Sequence, residues 1–195
     1  MIRWATDDDA AAMAAIYAPI VRATAISFEV DPPTAEEMAA RVRATLAYAP
    51  WLVCARGEEV LGFAYASRHR ERAAYRWSMD ASVYVDEGAR RRGVARGLYT
   101  SLFALLRRQG FYAVHAGITL PNAASVGVHE ALGFEKVGVY RAVGYKLAAW
   151  HDVGWWQLAL RERVGTPAPP LVPAEARERP GWREALAEGR ALIRP

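Results

Sequence analysis

The chain carries one cysteine, Cys54, only two lysines, Lys136 and Lys146, and no apolar run of the roughly 18 residues that a membrane-spanning helix needs. A single thiol excludes an internal disulfide and a cysteine-based metal cluster. Because Cys54 lies in the apolar run 51–55, it is expected to be a buried structural group. Residues 1–9 show no signal-peptide pattern, so a cytoplasmic location is expected, with no membrane contact. No histidine or carboxylate pairing stands at metal-ligand spacing, and no metal site is expected. Both common phosphate fingerprints are missing too: there is neither a three-glycine dinucleotide motif nor a Gly-Lys-Ser/Thr loop. The net charge of +4 is a modest excess that favours an anionic ligand such as a nucleotide phosphate. The arginines behind it are scattered and form no nucleic-acid module.

What is present is enough for one globular domain with a full core: 195 residues, 53% hydrophobic and 11% aromatic. Residues 2–5 read as a short strand, and the polar run 6–9 caps a helix expected to end at Ala18, before Pro19. Residues 23–28 are apolar and irregular, a candidate loop on the substrate side. Thr34 and Glu37 make a capping box for a second helix reaching about Tyr48. Residues 51–56 and 60–67 flank Gly57-Glu58 as a hairpin, and a longer strand is expected over 74–85. Further strands are expected at 113–118, 134–140 and 144–160, with a helix over 122–132 closed by Gly133. A hairpin meander interrupted by helices predicts a mixed α/β (α+β) sheet.

The proline-rich stretch 164–173 marks a boundary between a domain of residues 1–163 and an appendage of residues 164–195. In that appendage Trp182, Ala185, Leu186 and Ile193 fall on one face of a short helix, although Gly189 on the same face weakens it. The segment is expected to dock on the domain or on a partner subunit.

The most informative stretch runs from Val85 through Arg90, Arg91, Arg92, Gly93, Val94, Ala95 and Arg96 into an apolar helix ended by Gly110. A strand end followed by a basic, glycine-containing turn at a helix N-terminus suits a diphosphate. The first helical N–H groups lack intrahelical partners, and the small residues Gly93 and Ala95 allow close approach. An ordinary solvated turn would use the same residues, so the context has to decide.

That context resembles a family. Arg90-x-x-Gly93-x-Ala95, with Asn122 opening a downstream helix that closes at Gly133-Phe134, is similar to the GNAT superfamily of N-acetyltransferases. Within it, residues 120–134, Gly144-Tyr145-Lys146 and residues 150–157 resemble the phosphinothricin acetyltransferase branch. The resemblance covers about residues 2–160 and leaves the tail outside. It implies the GNAT fold, a mixed sheet of six to seven strands flanked by helices and splayed at the acetyl-CoA site, and it implies a homodimer. It also implies acetyl-CoA contacts from Val83, Tyr84 and Val85, from Arg90 through Arg96, and from Asn122. A splayed strand can pair its backbone with the pantetheine arm and turn an N–H toward the thioester carbonyl. Asn122 is explained equally well as a helix cap.

Acetyl transfer to an amine needs a group to remove a proton and a way to release the CoA thiolate. At the position where the branch carries a glutamate proposed as base, this sequence has Asp80, one C–C bond shorter, so relay through water is expected. Asp80 also fits a bulge or a pair with Arg76. His129 stands where many relatives place a tyrosine that protonates the thiolate; an imidazole there can act as acid or base, or simply as a helix histidine. The branch acetylates small amino acids whose side chain ends in a tetrahedral oxoacid or oxide, which suggests Phe28, Arg76, Tyr84 and Lys146 as acceptor contacts. Phe28 and Tyr84 fit a core equally well. His69 is expected in a surface loop, His115 in the sheet, and His151 in a structural or pocket-lining place. The alternatives are transfer to another amine (a polyamine, an antibiotic or a peptide N-terminus), a CoA-binding regulatory module without turnover, and a nucleic-acid binder.

Overall fold

The computed structural model describes residues 1–194 and is built on one seven-stranded sheet. In chain order the strands are β1 (Ile2–Trp4), β2 (Trp51–Arg56), β3 (Glu59–Arg68), β4 (Ser78–Val85), β5 (Ala113–Leu120), β6 (Glu135–Lys146) and β7 (Ala149–Ala159). They lie in the order β1-β2-β3-β4-β5-β7-β6, and every pairing is antiparallel except β4 with β5. Helices α1 (Ala10–Ala23) and α2 (Ala35–Leu46) cover one face, α3 (Val94–Gln109) the other, and α4 (Ala123–Ala131) follows β5. Alternation along the strands sorts the side chains. Val53 and Phe63 pack with Met13, Tyr17, Val21 and Met38 on the α1/α2 side. Leu52, Ala64, Met79 and Val114 pack with Leu98, Leu102 and Leu106 on the α3 side. Cys54 is buried, as its apolar run implied.

Three boundaries differ from expectation. First, α1 continues through Pro19 to Ala23. A proline inside a helix costs about 3 kcal/mol, but ending there would expose Val21, and burying one such side chain together with its turn offsets much of that cost. Second, β4 starts at Ser78, because residues 73–75 wind into a 3₁₀ turn. Third, the strand expected over 144–160 folds back on itself at Leu147-Ala148, so that β6 and β7 form a long hairpin. Both turn residues have positive φ, 52° and 60°. Neither is glycine or asparagine, so the usual signal for such a turn is missing from the sequence.

The sheet is splayed at its centre. β4 and β5 pair only over Ser78–Asp80 with Ala113–His115. Beyond that, β4 runs on to Val85 with one edge free. Asp86 N–H donates to the Leu61 carbonyl at 3.0 Å, so by the alternation of antiparallel pairs the peptide groups of Ala81, Val83 and Val85 point away from β3, into the gap.

Candidate active site

A narrow cleft of about 70 Å³ occupies that gap, lined by Ser82, Val83, Tyr84, Tyr99, Gly117, Asn122 and His129 among others. Its walls are two strands with unpaired peptide edges, able to hydrogen-bond an extended ligand. Asn122 caps α4, its Oδ1 accepting the Ser125 N–H at 3.0 Å, and so shapes the wall.

Asp80 and His115 sit side by side where the strands part. His69, expected in a surface loop, instead turns inward at the end of β3. Its Nδ1 lies 2.6 Å from Asp80 Oδ1, and its ring stacks on His115 with centroids 4.2 Å apart. Asp80 is therefore partnered by His69 and not by Arg76. Burial pushes the Asp80 carboxyl above its usual range, against the opposing influence of His69 and Arg70. Burial, with the positive charges nearby, pushes His115 down to about 4, so its imidazole is neutral at pH 7. Arg70 caps the cluster with its guanidinium over the Trp155 ring at 5.7 Å.

On the opposite wall His129 is buried. Its Nδ1 is 2.7 Å from the Ser125 carbonyl, which can only accept, so that nitrogen carries the proton. Nε2 then offers a lone pair to the Tyr99 hydroxyl at 3.2 Å. Tyr99 also reaches the Ala81 carbonyl at 3.3 Å, so its single proton chooses between two acceptors. Burial lowers the His129 pKa and raises that of Tyr99 far above the ordinary phenol, and both groups stay neutral at pH 7. Tyr99 gave no signal in the sequence because it occupies a helical core position.

At the outer end of β4, Arg90 to Gly93 turn into α3. Gly93 is the N-cap with φ +80° and contributes no side-chain cap, and the first N–H to find a helical partner is that of Gly97, bonded to the Gly93 carbonyl at 2.8 Å. The N–H groups of Val94, Ala95 and Arg96 are thus left to a ligand. One part of the expected cradle is different. The space beside Gly93 is not open to a phosphate: a Cβ there would overlap the carbonyl of Leu192, from the C-terminal tail. The glycine is required by its left-handed backbone and by that close approach.

The acetyltransferase (GNAT) domain model matches residues 2–155. The chain belongs to the GNAT acetyltransferases. It is 40% identical over 169 residues to a phosphinothricin N-acetyltransferase of Streptomyces viridochromogenes, covering 87% of this chain and 90% of the relative. A methionine sulfoximine/methionine sulfone acetyltransferase of Salmonella typhimurium is 32% identical over 86% of this chain and 98% of its own. Among solved structures, a phosphinothricin acetyltransferase of Sinorhizobium meliloti in complex with acetyl-CoA superposes with a TM-score of 0.82 at 32% identity, over 89% of this chain and 95% of that one. The protein is an acetyl-CoA-dependent N-acetyltransferase with a splayed mixed sheet, as its sequence motifs implied.

Within this GNAT fold the expected acceptor contacts separate. Phe28 lies over Gly144 on β6, where any Cβ would strike its ring, and remains partly exposed; it is Ile26 of the same loop that lines the cleft. Tyr84 turns its ring into the α1/α2 layer against Tyr17, 4.7 Å away edge-on, which leaves its backbone at the cleft. Lys146 is only 9% exposed, and its Nζ donates to the carbonyls of Val21 and Ser27, both at 2.6 Å. Its charge is spent tying β6 to the α1–α2 loop, because a buried ammonium has to satisfy its donors locally. Arg76 bends back to the Ala73 carbonyl and rests near Trp77, away from the cleft. Arg70 is the guanidinium that stands by Asp80. His151 donates from Nε2 to the Lys146 carbonyl at 3.0 Å, at the β6–β7 turn, a structural place. Among the described residues no group of three or more potential ligands gathers for a metal ion, and no helix is long and apolar enough to cross a membrane.

Proposed function

We propose that this enzyme moves the acetyl group of acetyl-CoA to the α-amine of a small amino acid of the phosphinothricin, methionine sulfoximine or methionine sulfone type, by direct attack on the thioester. The observation that carries this reading is a cleft between β4 and β5 with a hydroxyl–imidazole pair on its wall, a half-buried carboxylate where the two strands part and an uncapped helix N-terminus beyond the other end of β4. The acceptor ammonium gives one proton to Asp80 through a bridging water. The freed lone pair attacks the carbonyl carbon, while the Val83 and Val85 N–H groups stand where the developing oxyanion needs donors. As the C–N bond forms and the C–S bond breaks, the second amine proton passes to Tyr99 while the Tyr99 proton passes to sulfur. No phenolate persists, which burial forbids, and His129 is the positioning residue that holds the hydroxyl. Arg70 and the aromatic side chains near it, Trp155 and Tyr75, suit the acceptor's carboxylate or oxoacid group.

Thiol release from acetyl-CoA with a panel of phosphinothricin, methionine sulfone, methionine sulfoximine, a polyamine and a peptide tests the reading. Saturable turnover on the oxidised amino acids is expected; turnover confined to the polyamine or the peptide, or none at all, overturns it. For the leaving-group step, Tyr99→Phe is expected to lower kcat about fiftyfold with the acetyl-CoA KM within twofold. His129→Phe should cost a similar factor, and the double variant no more than either alone, because the two act as one unit. Additive losses would remove His129 from that unit.

The same proposal includes a homodimer working in the cytoplasm, where acetyl-CoA is supplied and a free thiol such as Cys54 persists. β6 is an edge strand of 12 residues, and its hairpin with β7 leaves Tyr140, Val143, Tyr145, Leu147 and Trp150 exposed. An unpaired apolar edge of that length calls for a cover, and a second copy supplies one. Light scattering is expected to give twice the 21.5 kDa chain mass, and Trp150→Glu is expected to give monomers. A monomeric parent protein would sink this part.

A further inference from the structure

The end of the chain reaches back over α3 to the outer end of the cleft. Helices α5 (Pro173–Ala176) and α6 (Trp182–Ala187) lead into a 3₁₀ turn at Glu188–Leu192. Trp182 stacks on Trp4 with centroids 5.8 Å apart. Ser101, buried in the middle of α3, is engaged twice: its hydroxyl donates to the Leu186 carbonyl at 2.9 Å and accepts the Gly189 N–H at 3.1 Å. The turn then crosses α3 glycine on glycine. A Cβ on Gly97 would lie 2.7 Å from the Gly189 carbonyl oxygen, and a Cβ on Gly189 would overlap the Gly97 backbone. Past the crossing, Arg194 N–H donates to the Arg92 carbonyl at 2.8 Å, and on the other side the Arg190 guanidinium donates to the Ile2 carbonyl at 3.1 Å. The tail is therefore main-chain bonded to the very turn that presents the uncapped N–H groups.

A cavity of about 460 Å³ lies there, lined by Val85, Arg91, Ala95 and Arg96 from the strand, turn and helix, and by Leu192 and Arg194 from the tail. Among the described residues no carboxylate pairs with Arg194. We propose that residues 188–194 form a strap that is part of the acetyl-CoA site: its backbone fixes the Arg90–Gly93 turn, and the Arg194 guanidinium adds a cation to the diphosphate. The proposal rests on the reading of that turn as the diphosphate cradle. It extends the site beyond the residues 2–155 that the family domain matches. A guanidinium suits the task because its planar donors engage two phosphate oxygens at once.

The test is calorimetric titration of acetyl-CoA into the parent protein and Arg194→Glu, at low and at high salt, with turnover on acetyl-pantetheine, which has the thioester but no phosphate. Arg194→Glu is expected to weaken acetyl-CoA binding about tenfold at low salt, less at high salt, with turnover on acetyl-pantetheine unchanged. Gly189→Val, which unseats the whole strap, is expected to lose at least as much; should it fail to fold, Arg194→Glu still decides, because that side chain is exposed. Unchanged acetyl-CoA affinity in Arg194→Glu, or an equal loss on acetyl-pantetheine, overturns the proposal. Ala95→Asp separates the two readings. If it abolishes binding while Arg194→Glu binds normally, the strap alone is wrong; if it also binds normally, the cradle reading has failed.

Discussion

Asp80→Asn is expected to lower kcat about a thousandfold while the KM for acetyl-CoA stays within twofold. The substitution keeps size and most of the contact with His69 but removes the carboxylate where β4 and β5 part, and a positioned base is worth about a hundred- to ten-thousandfold. The pH profile carries the sign. In the proposed mechanism the base is the ionised carboxylate, whose pKa is held up by burial, so kcat/KM is expected to be full above that raised value and lost as pH falls through it. His69 opposes the rise through its hydrogen bond and charge. His69→Gln should therefore move the acid limb to higher pH without abolishing turnover, a shift that a merely structural histidine would not produce. An Asp80→Asn enzyme within tenfold of the parent would take Asp80 out of the mechanism.

Ala95→Asp should weaken acetyl-CoA binding at least about a hundredfold and leave the free protein as stable as before. Ala95 is in the first turn of α3, beside N–H groups that no side chain caps. A carboxylate there accepts those N–H groups itself and repels the diphosphate at short range. For the helix alone the change is favourable by about 0.3–1 kcal/mol, because a negative charge near an N-terminus complements the helix dipole. Affinity lost with the melting temperature held or raised is thus a signature of ligand competition, which misfolding cannot imitate. A drop in melting temperature with affinity intact would contradict the cradle.

The elements that place the site were legible because their signals are local. The capping box at Thr34 and Glu37, the turn at Gly57, the spacing of Leu98, Leu102 and Leu106, and Asn122 before α4 are each decided by neighbours a few residues away. Where the local signal misled, a distant contact had outweighed it. Pro19 stays inside α1 because the turn beyond it packs against the sheet, and Leu147-Ala148 turns with positive φ because β6 and β7 pair along almost their whole length. Lys146 was a candidate acceptor contact in the sequence and is a buried loop tie in the fold, and Gly189 was a defect in a helix face and is the point where two backbones touch.

The amino-acid order by itself determined the mixed sheet and the basic turn at the head of a helix, since hydrophobic period and caps act over one or two turns of chain, while Asp80 and His129 were singled out by the family resemblance. Only the tertiary structure decided that His69 pairs with Asp80, that the Tyr99 hydroxyl meets His129 in the wall of the cleft, that Arg70 and not Arg76 lies near Asp80, and that the Leu192 carbonyl fills the space beside Gly93. Those pairings join residues set by separate elements. Tyr99 meets His129 across 30 positions and the tail meets the cradle across some 100, because burial of the α3 faces brings them together, and no short-range pattern encodes that.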